Sequence, residues 1–103
     1  MATAAAALPA VPTEVREFLK KEGAEAYLQP VLEMVRQLVP SSPLNVKLEI
    51  DPEIPKHCYV CIEADLTDVE DEDSLFELDQ RWTEELFRVC PPTHVWLFHF
   101  RML

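Results

Sequence analysis

Between His57 and Gln80 the chain carries nine carboxylates, Glu63, Asp65, Asp68, Glu70, Asp71, Glu72, Asp73, Glu77 and Asp79, and no Lys or Arg. So many uncompensated negative charges cannot enter a protein interior, because an unpaired buried ion costs far more than folding can return. Apolar runs at 57–64 and 94–103 lie on either side. The fold must therefore carry packed strands flanking a solvated acidic shoulder. A shoulder of this kind repels phosphate backbones and anionic lipid and attracts basic partners.

The length, 103 residues, suits one domain with its own core. An apolar fraction of 49% with 27% charged residues is globular rather than disordered. A formal charge of −10 argues against nucleic-acid binding by phosphate neutralisation, and Lys20-Lys21 is too small a basic cluster to reverse that. Three cysteines, an odd number, argue against a disulfide framework and for a reducing compartment. Met1 to Pro12 has no basic start and is broken by Pro9 and Pro12, unlike a signal peptide. No run reaches the length of a membrane span. The expectation is a cytoplasmic protein with a flexible tail at 1–12 and a single α+β domain at 13–103.

Thr13 offers an N-cap oxygen for a first helix, Glu14 suits its positive end, and Val15, Phe18 and Leu19 share a face. Gly23, the only glycine, stands where that helix should stop. Leu28, Val31, Leu32, Val35, Leu38 and Val39 recur at three- and four-residue spacing, which predicts a second helix over 25–39, regular from about Pro30. Leu44-Asn45-Val46-Lys47-Leu48-Glu49-Ile50 alternates strictly and predicts a half-buried strand. Asp51-Pro52 then opens a loop, and 57–64 forms a second strand antiparallel to the first. Leu75, Leu78, Trp82, Leu86 and Val89 mark a third helix over 72–89, ended by Pro91-Pro92. His94 to Leu103 reads as a third strand, with Trp96, Phe98, Phe100 and Met102 on one side and Val95 and Leu97 on the other.

The expected fold is α-α-β-β-α-β, a three-stranded, mainly antiparallel sheet with helices packed on one face. The third strand can lie antiparallel beside the first, in order 2-1-3, or parallel beside the second; 2-1-3 is the favoured order. The face left bare would carry Tyr59 and Cys61, joined by Val95 and Leu97 if the aromatics of the last strand point inward.

Chemistry-bearing constellations are sparse. Cys58-x2-Cys61 with Cys90-x3-His94 has the residue types of a zinc set. A strand between the first two cysteines, however, throws their thiols to opposite faces. Asp68, Glu70, Glu72 and Asp79 occupy calcium-loop positions, yet Asp73 stands where the turn needs glycine. One glycine excludes glycine-rich phosphate loops, and His57, His94 and His99 find no nucleophile or orienting partner. No catalytic, metal or cofactor residues are assigned.

Pattern also links the chain to a family. The order of helix, alternating strand, Asp51-Pro52-Glu53-Ile54, apolar strand, acidic loop, the helix around Leu78-Asp79-Gln80-Arg81-Trp82-Thr83-Glu84-Glu85-Leu86 and a final strand resembles small bacterial proteins of no established activity, over about residues 13–103. The resemblance implies an α+β fold and a bacterial source, and no site residues. The residues themselves point to a non-enzymatic acidic interaction domain, of the adaptor, antitoxin or immunity kind. Its partner would be a basic protein or a second copy in a homodimer. The candidate surface is Tyr59, Cys61, Val95, Leu97, Asp68, Glu70, Asp71 and Glu72. The rival expectation is a small divalent-metal-assisted enzyme or metal-binding protein that uses the carboxylates of 65–79.

Overall fold

The computed structural model describes residues 8–40, 42–54, 57–66 and 71–103. Among them are α1 (Thr13–Lys21), a 3-10 turn at Glu25–Tyr27, α2 (Leu28–Leu38), β1 (Leu44–Ile50), β2 (Cys58–Ala64), α3 (Glu72–Val89), a 3-10 turn at Val95–Leu97 and β3 (Phe98–Met102). The architecture is α+β with a three-stranded mixed sheet.

Each helix end has a physical cause. Thr13 enters the first turn of α1, so Pro12 rather than Thr13 is the N-cap, and no side chain caps that end. Proline suits a position whose N–H would have no helical acceptor. At the other end Gly23 adopts φ 72°. Ala24 N–H then reaches the Leu19 carbonyl at 2.8 Å and Gly23 N–H the Lys20 carbonyl at 3.2 Å, which satisfies two helix-end carbonyls. The 3-10 turn leads directly into α2, where Pro30 falls in the first turn and interrupts no bond. Arg36 Nη1 closes the far end by donating to the carbonyls of Val39 and Ser42, at 3.1 and 2.9 Å.

The core lies between these helices and one face of the sheet. Val15 and Leu19 of α1, Val31 and Val35 of α2 and Trp82 and Leu86 of α3 join Val46, Val60, Ile62, Ala64 and Phe98 in one buried cluster. Leu44, Leu48, Phe100 and Met102 pack against it. Even-numbered strand residues therefore face the helices, as period-two alternation requires. Val11, ahead of α1, also packs on the cluster.

The strand order is β1-β2-β3, with β1 and β2 antiparallel and β2 and β3 parallel, so neither the 2-1-3 order nor the mainly antiparallel sheet is found. Two constraints place β2 in the centre. From Val60 to Ala64 it is buried on both faces, whereas β1 and β3 retain exposed positions. In addition, Glu63 lies in register with Asn45 on one side and Arg101 on the other, so its carboxylate meets donors from both neighbours. α3 supplies the long crossover that a parallel β2–β3 pair needs.

The last apolar run is also not one strand. Leu97 N–H donates to the His94 carbonyl at 3.1 Å and Trp96 Nε1 to the Thr93 carbonyl at 2.8 Å, which winds 95–97 into a turn. Leu97 is thereby driven into the interior, while Trp96 turns outward at 45% exposure. Only from Phe98 onward does the chain extend.

Ile62 sits on the core face of the central strand and is fully buried. Ile62→Ala should cost about 2–5 kcal/mol, since deletion leaves a cavity the strand cannot close. Phe76→Ala, at a ring that is 63% exposed, should stay within about 0.5 kcal/mol. Urea titrations of the three proteins measure both values, and an Ile62→Ala midpoint equal to wild type would contradict this packing.

Candidate functional site

Two surfaces carry the polar chemistry, one on each side of the molecule. The first begins where the acidic block enters α3. Asp71 caps the helix, with its Oδ1 accepting from Asp73 N–H at 3.0 Å and its Oδ2 from Ser74 Oγ at 3.0 Å. Glu72 and Asp73 follow in the first turn, where the helix dipole favours negative charge. All three are exposed. Phe76 stands among them, 63% exposed. On a helix its neighbours at three and four residues are Glu72, Asp73, Asp79 and Gln80, so three of the four are carboxylates. No cation occurs on the helix before Arg81. A second ring, Phe87, is 52% exposed further along the helix.

The second surface is the sheet face that the helices leave uncovered. It was expected to be apolar, and it is polar instead. Glu63 accepts from Asn45 Nδ2 at 3.2 Å and pairs with Lys47 Nζ at 3.0 Å and Arg101 Nη1 at 3.1 Å. Glu49 pairs with Arg101 Nη2 at 2.6 Å and Lys47 Nζ at 3.3 Å and accepts from Tyr59 OH at 3.3 Å. Two carboxylates and two cations thus bridge all three strands. Hydrogen bonds from Asn45 and Lys47 hold the Glu63 carboxyl below the usual range, and Arg101 does the same to Glu49. Reciprocally, Lys47 is raised by Glu63 and Arg101 by Glu49.

Beside this network lies a group of rings. Tyr59 stacks on His99 with centroids 4.0 Å apart, and His57 stacks on Trp96 at 5.0 Å. Burial raises the Tyr59 phenol and lowers the His99 imidazole, with His57 adding to the second effect. Cys61 lies in register between Lys47 and His99, and is only 1% exposed. Burial pushes its thiol upward, as it does that of Cys90, which makes neither a ready nucleophile. Cys58, Cys61 and Cys90 form no disulfide.

The expected interaction surface is therefore divided. Tyr59 and Cys61 lie on the sheet face, but Cys61 is covered. Val95 is half-buried in the 3-10 turn, and Leu97 is wholly buried, so neither joins them on that face. Asp71 and Glu72 stand on the helix layer, across the sheet. Asp68 and Glu70 lie outside the described residues. The correction to the strand order brings together what the sequence left apart: His57 and His99 now belong to one ring cluster, because their strands are adjacent. The signal for the network was the complementary charge at alternating positions, Lys47 and Glu49 against Glu63 and Arg101. Reading it required knowing that β2 is central.

No group of three or more His, Cys, Asp or Glu among the described residues is arranged to hold a metal ion. No described helix is long and apolar enough to cross a membrane. A cleft of about 360 Å³ opens beside α2 between Val11, Leu28 and Leu32, but its polar residues Arg16, Glu25 and Gln29 are all exposed. No protein-family model, no curated protein and no solved structure matches the chain.

The network predicts an acid-sensitive contribution to stability. Folding depresses the Glu49 and Glu63 pKa values, so it favours their ionised forms. Their contribution is fully present above the ordinary carboxylate value of about 4.3 and disappears as pH falls through the lower folded-state values. Urea titrations from about pH 6 to about pH 2 should show wild type losing stability more steeply than Glu63→Gln. Parallel curves would mean that Glu63 carries no such linkage.

Proposed function

We propose that the protein is a non-catalytic interaction domain that docks a basic protein segment on the acidic half of α3. The observation that carries this reading is Phe76, a large ring 63% exposed within a ring of carboxylates. A large exposed ring supplies a compact anchor when a partner covers it. The surrounding charges steer a cationic partner and exclude anionic ones. The charge-balanced sheet face leaves the excess of the −10 net charge outside it, much of it on this helix. The complementary partner is a Lys- and Arg-rich segment that also presents an apolar pocket or side chain, as an adaptor, antitoxin or immunity-type complex would provide.

Capture of host proteins on the immobilised domain, followed by titration calorimetry with the purified partner, tests the reading. The partner should be basic, and its affinity should fall as salt rises. Phe76→Ala should weaken binding at least about tenfold, the scale of an interface anchor. Replacing Glu72, Asp73, Glu77 and Asp79 with their amides should remove the salt dependence. Binding that is indifferent to both changes would overturn the proposal.

A further inference from the structure

β3 is an edge strand, and its backbone shows which groups the edge presents. Leu103 N–H donates to the Ala64 carbonyl at 2.9 Å, and the Leu103 carbonyl accepts from Leu66 N–H at 3.3 Å. Leu103 therefore faces β2, and by alternation Arg101 and His99 do too. Phe98, Phe100 and Met102 direct their backbone groups to the outer side. Phe98 N–H is already taken by the Val95 carbonyl in the preceding turn. The N–H groups of Phe100 and Met102 and the carbonyls of Phe98, Phe100 and Met102 have no backbone partner among the described residues.

Exposed edges are ordinarily guarded by an outward charge, a proline or a bulge. β3 has none of these devices. Its one charged residue, Arg101, is drawn back across the sheet by Glu49 and Glu63, at 2.6 and 3.1 Å.

The side chains complete the pattern. Phe98-His99-Phe100-Arg101-Met102 alternates apolar and polar, and the alternation reads the same in both directions. A twofold axis through Phe100 would set Phe100 against its own copy and Phe98 against the second copy's Met102. Apolar residues meet apolar residues on the helix side, and His99 meets the second copy's Arg101 on the polar side. Phe100 and Met102 are only half-buried in one chain. The Phe100 ring already stacks on Trp82 at 5.2 Å, so the added contact extends an existing apolar layer.

We propose that β3 pairs antiparallel with β3 of a second copy, which joins two three-stranded sheets into one continuous six-stranded sheet. The Phe100 and Met102 N–H groups of each chain donate across the axis, to the second copy's Phe100 and Phe98 carbonyls respectively. Every donor freed at the edge is thereby used, and the unavailable Phe98 N–H is not needed. The short strand and the like charge of the two copies, −10 each, make this a dimer that salt strengthens by screening. The surface is separate from the acidic helix face, and the inference does not rest on the partner reading above.

Sedimentation velocity from low-micromolar to submillimolar protein, at low and high salt, reads the assembly. A dimer that grows with concentration and with salt is expected. Met102→Pro removes the outward donor together with a half-buried side chain and leaves the ladder to β2 intact, at a position where an edge strand accepts proline. It should shift the mass to monomer with an unchanged circular dichroism spectrum. Hydrogen exchange on the unaltered protein gives a second readout that requires no variant: the Phe100 and Met102 amides should exchange more slowly as concentration rises. Three results would each overturn the proposal: a wild-type mass that stays monomeric throughout, a folded Met102→Pro protein that dimerises as well as wild type, or protection of both amides independent of concentration.

Discussion

The burial of β2 on both faces governs the remainder of this structure. One face is sealed by apolar packing, with Val60, Ile62 and Ala64 against the helices. The other holds Glu63, a carboxylate at 9% exposure, which is tolerable only because Asn45, Lys47 and Arg101 all reach it. Those donors come from both neighbouring strands, so a central β2 is a condition of Glu63 being where it is. The sheet order follows, and with it the parallel pairing of β2 and β3 and the route of α3 between them. Cys61 is buried as a consequence, under side chains that lean across it to complete the network.

The helix layer answers to simpler rules. α1, α2 and α3 each bury a stripe at helical spacing, and each terminates where a proline, a glycine or a reaching side chain closes it. Gly23 is needed because the turn after α1 requires a positive φ, which a side chain would oppose. Arg36 ties the end of α2 to the loop that enters β1, so one residue both satisfies helix carbonyls and aims the first strand.

Charge is distributed unevenly between the two sides of the molecule. The sheet face balances two carboxylates with two cations. The start of α3 concentrates carboxylates with no cation among them and sets an exposed phenylalanine in their midst. Burial also keeps the Cys61 and Cys90 thiols protonated, so the groups that look most chemical in the sequence are the least reactive in the fold.

Local periodicity determined β1 and α3 to the residue, because their burial is a repeating property of adjacent positions. The stripe of α2 and the stop at Gly23 were legible for the same reason. The acidic surface at Asp71 and Glu72 could be read directly, since charge without compensation has nowhere to go but solvent. Tertiary structure decided the strand order, the turn at Val95–Leu97 and the character of the bare sheet face. Alternating Phe, His, Arg and Met around Phe98–Met102 fits either edge of a hairpin equally well, and only contacts distant in sequence distinguish the two. An apolar run such as Val95-Trp96-Leu97 is compatible with strand or turn, and the bonds from the Leu97 amide to His94 and from the Trp96 indole to Thr93 select the turn. The Glu63 network and the Tyr59–His99 stack depend on residues brought together from different strands, a juxtaposition that no local pattern encodes.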